Sequence, residues 1–147
     1  MEQKKPLQPT GVEEEFSFSV GRTRVVGRYD LVVATTDGVT ILDFKTGDVS
    51  TEAKAQHRAE ESLQLAIYAL ACFRTTGALP ARVELRFLGS DLVGGFAPSR
   101  ALVLATERKI ADVADRISRG LFAATPSHAA CRPCPFRDVC PATAKDD

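Results

Sequence analysis

Apolar and polar residues alternate through the first third of the chain and change to a helical period in the middle. Phe16, Phe18 and Val20 alternate with polar neighbours and predict a strand over 16–20. Two longer β-type runs follow, at 23–35 and 39–46. Between them stands Asp37-Gly38, a dipeptide that favours a tight hairpin turn. From 51 to 76, Leu63, Ala66, Ile67, Leu70 and Phe73 recur at helical spacing, and Gly77 supplies a stop signal. Val83, Leu85 and Phe87 predict a strand over 82–88; a glycine-interrupted run at 92–97 reads as an edge strand. A second amphipathic helix over 104–119 carries Ile110, Val113, Ala114 and Ile117, with Leu121 in phase and Gly120 near its end. The order β-β-β-α-β-β-α predicts an α/β domain, a mixed β-sheet flanked by helices. Residues 1–12 read as a flexible lead-in, 13–124 as the core and 125–147 as an irregular, cysteine-containing tail.

The hairpin gathers charge. A turn centred on Asp37-Gly38 sets Asp30 opposite Lys45 and Val32 opposite Asp43. Asp43 and Lys45 are two apart and share a face. Directly opposite residues lie roughly 4.5–5.5 Å apart at Cβ. Two carboxylates and one ammonium therefore converge, while Leu42 and Phe44 are expected to point into a core. Such a set can hold a hard divalent cation and steady an anionic reaction centre. A solvated ion pair across a hairpin would give the same spacing, but the apolar run 39–42 ahead of Asp43 argues against a solvated face. Gly27 and Gly47 bracket the patch and allow close approach of another backbone. Gln64 and Tyr68, one turn apart, share a helix face. With His57 and Glu61 they form a polar stripe. The helix could lay that stripe over the carboxylates or simply expose it to water.

Composition narrows the function classes. A chain of 147 residues is long enough for one domain with a real core. No apolar run approaches the roughly 20 residues of a membrane span. The start, MEQKKPLQPTGVEEE, lacks a signal-peptide apolar segment, so a cytoplasmic protein is expected. Net charge is zero at pH 7, which argues against a broad electrostatic grip on nucleic acid and for a local site. Cys131, Cys134 and Cys140 form a C-x2-C-x5-C cluster that suits a metal better than disulfides. Pro133 and Pro135 stiffen its loop. Three thiolates need one more ligand. His128 would complete a Cys3His zinc site, whereas Cys72 reads as a small core residue of the first helix.

Taken together, GRYDLVV, ILDFKTG, QLAIYALA and CRPCPFRDVC, in this order, resemble the PD-(D/E)XK nuclease superfamily. The nearest likeness is to its RecB-like branch, found at the C-termini of UvrD-type helicases and in AddB-like iron–sulfur nucleases. The resemblance covers roughly residues 13–141. It implies a restriction-endonuclease-like core and a Mg2+- or Mn2+-dependent deoxyribonuclease, a RecB-like exonuclease. Asp30 and Asp43 would bind the metal, with the Phe44 backbone carbonyl as a further oxygen ligand. Lys45 would orient the attacking water or stabilise the transition state, and Gln64 and Tyr68 would organise the site or the DNA. It also implies DNA end processing in recombinational repair beside a UvrD/RecB-type helicase, in cis or in trans, and a [4Fe–4S] cluster on Cys131, Cys134 and Cys140. The branch's upstream metal-binding histidine and fourth cysteine have no counterpart here, so an N-terminally truncated domain is expected. Two other readings stay open: a catalytically impaired DNA-binding or scaffold module with the same fold, and a small zinc-bearing interaction domain.

Overall fold

Phe16, Phe18 and Val20 alternate as expected, but their strand begins well before them. The computed structural model describes residues 8–144. In it, β1 runs Pro9–Val20, β2 Thr23–Thr35 and β3 Gly38–Lys45. Then come α1 (Glu52–Glu60), α2 (Leu63–Thr76), β4 (Arg82–Phe87), β5 (Leu92–Phe96), α3 (Arg100–Ser118) and the single turn α4 (His128–Cys131). The lead-in expected over 1–12 thus ends sooner: Pro9 to Val12 already pair with β2, and residues 1–7 lie outside the described residues. Glu13, Glu14 and Glu15 hid this extension, because they give the strand an exposed, charged edge.

The sheet has the order β1-β2-β3-β4-β5. Only β3 and β4 are parallel, joined by the crossover through α1 and α2; the other neighbours are antiparallel. This is the expected mixed sheet flanked by helices, and β5 lies at an edge as its glycines suggested. The expected 51–76 helix is two helices. Ser62 interrupts it with extended backbone, and its Oγ accepts the Leu65 N–H at 3.2 Å as the N-cap of α2. Thr51 caps α1 in the same way. Gly77 closes α2 in the left-handed conformation, φ 78°.

One face of the sheet carries the core. Phe16, Phe18, Ile41, Val83, Leu85 and Phe87 pack against Ala55, Ala59, Leu65, Ala69, Leu70 and Val103 from the helices. Cys72 is buried there too, as the small core residue expected. On the opposite face Arg82 and Arg86 clamp Glu84 at 2.8 and 3.0 Å. Phe44, expected in the core, is 39 % exposed instead. The chain divides into two compact units, one ending at Asp112 and the other starting at Val113. The division falls inside α3, twelve residues before the expected boundary after 124. Among the described residues no helix is long and apolar enough to cross a membrane.

Candidate active site

The β2–β3 hairpin sets the site, in a different register from the one expected. Thr35 pairs with Gly38 and Val32 with Ile41, so the turn centres on Thr36-Asp37. Val32 was expected opposite Asp43, so the strands have slid by two residues. A slide of two preserves the faces. Asp43 and Lys45 stay together, and Asp30 falls level with Asp43 rather than with Lys45.

A local irregularity delivers the Asp30 carboxylate. Tyr29 and Val32 are three apart, yet both pack on the core, so the alternation of β2 breaks across Asp30 and Leu31. The β2–β3 ladder stops at Leu31–Leu42. Beyond it, Asp30 Oδ2 accepts the Phe44 backbone N–H at 2.9 Å, replacing a ladder bond with a side chain. Across from Asp30 in β1, Glu13 takes φ 48°, the left-handed region.

Helix α2 completes the site. Lys45 Nζ lies 2.6 Å from Asp43 Oδ2 and donates to Gln64 Oε1 at 2.6 Å. Gln64 Nε2 donates to Tyr68 Oη at 2.9 Å, and Tyr68 Oη donates to Asp43 Oδ1 at 3.3 Å. Asp43, Lys45, Gln64 and Tyr68 therefore form a closed circuit. All five residues singled out in the sequence meet here. His57 and Glu61 do not: they lie before the helix break, exposed, and pair with each other at 3.3 Å. Gly27 makes room for the Phe16 ring rather than for another backbone, and Gly47 borders open space.

Asp43 is 2 % exposed. Its Oδ2 is ion-paired with the Lys45 ammonium at 2.6 Å, and its Oδ1 accepts from Tyr68. A buried carboxylate is costly unless it is paired, and here the Lys45 ammonium and the Tyr68 hydroxyl pair it. The neighbouring carboxylate is that of Asp30, level with Asp43 on the adjacent strand and holding the Phe44 N–H. An all-oxygen set with few protein ligands suits Mg2+ or Mn2+, which keep waters and take phosphate oxygens. Among the described residues no group of three or more His, Cys, Asp or Glu gathers to hold a metal, so the protein supplies two carboxylates at most.

Tyr68 is held by aromatic neighbours that sequence reasoning overlooked. Tyr29 packs edge-on to it at 5.2 Å, and Phe16 packs against both. The signal was present, because Tyr29 directly precedes Asp30. Burial above all pushes the Tyr68 hydroxyl up to about 12; the Gln64 hydrogen bond lowers it, while the Asp43 and Asp30 charges raise it. Tyr68 is therefore a neutral donor at physiological pH. Folding holds its proton more tightly than the unfolded chain does, so stability is lost as pH rises from the ordinary 10 toward about 12. Tyr68→Phe should flatten the fall of melting temperature over that interval, leaving the similar contribution of Tyr29, whose pKa burial also raises. Identical slopes for the two proteins would refute this placement of the proton.

Cys131, Cys134 and Cys140 line one small cavity of about 150 Å³ within the second unit, and all three are free thiols. His128 does not line that cavity. A [4Fe–4S] cluster held by cysteines needs four, and a zinc site four ligands. The described residues offer three thiols and no grouping that could hold a metal, so they fit neither.

The fold has a counterpart among known proteins. The profile of the PD-(D/E)XK nuclease superfamily matches residues 1–141. Among solved structures, SSO0001 is similar, with a TM-score of 0.55 and 18 % identity over 92 % of this chain and 61 % of that one. At that identity the likeness shows the fold alone, and this chain spans about three fifths of that protein's length. No curated protein matches the chain. A profile match over nearly the whole length, on a mixed sheet that gathers Asp30, Asp43 and Lys45, leads to one conclusion: the chain belongs to the PD-(D/E)XK nuclease superfamily.

Proposed function

We propose that this chain is a metal-dependent deoxyribonuclease that hydrolyses phosphodiester bonds at Asp30, Asp43, Lys45, Gln64 and Tyr68. The observation that carries this reading is the closed Asp43–Lys45–Gln64–Tyr68 circuit around a buried carboxylate, with Asp30 level with it on the adjacent strand. Asp43 and Asp30 would hold the Mg2+ or Mn2+, together with the Phe44 carbonyl. When bound, that ion would lower the pKa of an attacking water and neutralise charge on the phosphate.

The chain's own residues do the rest. Gln64 accepts from the Lys45 ammonium and so fixes its direction. Lys45 then presents a positive charge to the scissile phosphate, where negative charge grows in the transition state. Tyr68, neutral and braced by Tyr29 and Phe16, fixes one Asp43 oxygen, while the other faces the Lys45 ammonium. The motif order supports the RecB-like branch, and with it exonucleolytic processing of DNA ends beside a helicase in the cytoplasm.

The test is cleavage of a fluorescein-labelled single-stranded oligonucleotide. EDTA should abolish cleavage and excess Mg2+ should restore it. Asp30→Asn should raise the Mg2+ concentration for half-maximal rate by about tenfold or more, as expected for a weakened ligand set. Cleavage indifferent to EDTA would overturn the reading.

A further inference from the structure

Beyond the end of β3, the loop into α1 opens on a second feature. A cavity of about 380 Å³ is lined by Asp48, Val49, Ser50, Lys54, His57 and Arg58. Lys54 and Arg58 are one helical turn apart, so two like charges stand side by side, an arrangement that costs stability. Neither has a carboxylate partner among the described residues, whereas Arg74, Arg82 and Arg86 are each ion-paired. Both are nonetheless held. Lys54 Nζ donates to Ser50 Oγ at 2.9 Å, and the Arg58 guanidinium lies 5.9 Å from the centroid of the Phe87 ring. The one carboxylate in the lining, Asp48, lies against the Gly89 backbone.

The position of this pair matters. Phe87 is the register partner of Lys45 in the parallel β3–β4 ladder. Adjacent strands are about 4.8 Å apart. Arg58 therefore stands over the strand neighbour of Lys45, and Lys54 lies one helical turn away on α1, lining the same cavity. Cations held without counter-ions on the side of Lys45 suit an anion that arrives from outside.

We propose that Lys54 and Arg58, with His57 at the rim, form a backbone subsite that seats a phosphate next to the scissile one on the bound DNA strand. The proposal rests on the nuclease reading of the Asp43 site. It predicts a local cationic grip in a chain whose net charge is zero.

The measurement is fluorescence anisotropy of a labelled single-stranded oligonucleotide in EDTA, so that binding is read without cleavage. Lys54→Gln/Arg58→Gln should weaken Kd about tenfold and reduce the slope of log Kd against log salt by about 0.7, for the one phosphate no longer neutralised. Arg58→Lys should recover most of the affinity lost in Arg58→Gln while melting at the wild-type temperature. Unchanged Kd and salt slope would overturn the subsite. So would a loss that Arg58→Lys fails to recover, because the role would then be packing on Phe87. The nuclease reading fails separately, if wild type cleaves nothing in Mg2+; the anisotropy result still decides the subsite.

Discussion

Asp43→Asn is expected to lower DNA cleavage by on the order of 10³-fold or more while leaving the melting temperature within about 3 °C of wild type. The two halves have one origin. Asp43 is 2 % exposed, and its charge is met by the Lys45 ammonium at 2.6 Å. In a protein selected for stability alone such a group would be replaced, because burying a charge costs more than a neutral amide. Asparagine keeps the shape and still accepts from Tyr68. It removes the negative charge that both Lys45 and a divalent cation require. Lys45 is 37 % exposed along its side chain, so its ammonium can turn to water when its partner is neutralised, and the usual penalty for an abandoned buried charge is softened. Thermal melts and single-turnover cleavage on the same preparation decide the matter. A variant that cleaves like wild type removes Asp43 from the chemistry; one that is inactive because it is unfolded shows that the circuit is architectural.

Much of this site was legible in the sequence, for reasons that can be traced residue by residue. Asp43 and Lys45 are two apart on a strand, and a period of two survives any even error in register. The turn was misplaced by one position, the register slid by two, and the pair stayed together. Asp30 was less well determined. Its role depends on a break in the alternation of β2, and no periodicity argument anticipates a carboxylate that substitutes for a ladder acceptor. Gln64 and Tyr68 were found because their spacing falls inside one helix. His57 and Glu61 were wrongly added to their stripe because Ser62 restarts the helix between the two pairs. The signal was a serine ahead of an apolar run, and the continuous helical period masked it. Phe44 was assigned to the core on alternation alone. The outer face near the end of β3 is not covered there, and the ring stays exposed. The cysteine tail was read from spacing, which places thiols near one another but cannot supply a fourth ligand.

Gly94→Ala should be among the most damaging single substitutions, although it adds only one methyl group. The glycine pair at 94 and 95 was read as an interruption of an edge strand. Its physical reason is different. A Cβ at Gly94 would meet the Ala55 carbonyl and stand 2.8 Å from the Gln56 amide nitrogen, all of it α1 backbone. Ala55 and Ala59 are fully buried, so α1 lies directly on the β4–β5 edge with nothing between. Gln56 reinforces the contact by accepting the Gly95 N–H at 3.1 Å. Backbone cannot rotate aside as a side chain can, so the whole helix must lift. Overpacking of this kind costs about 3 kcal/mol, equivalent to a melting temperature roughly 10 °C lower for a chain of this size. Gly47→Ala is the matched control: nothing lies within 4 Å of its added Cβ, and it should shift stability by less than about 0.5 kcal/mol. The lifted helix also carries Lys54 and Arg58. Gly94→Ala should therefore weaken oligonucleotide binding in EDTA even below its melting temperature, while the circuit on α2 and β3 keeps its geometry. If Gly94→Ala melts with Gly47→Ala, α1 is not seated on the sheet edge in the way these distances require, and the placement of the phosphate subsite fails with it.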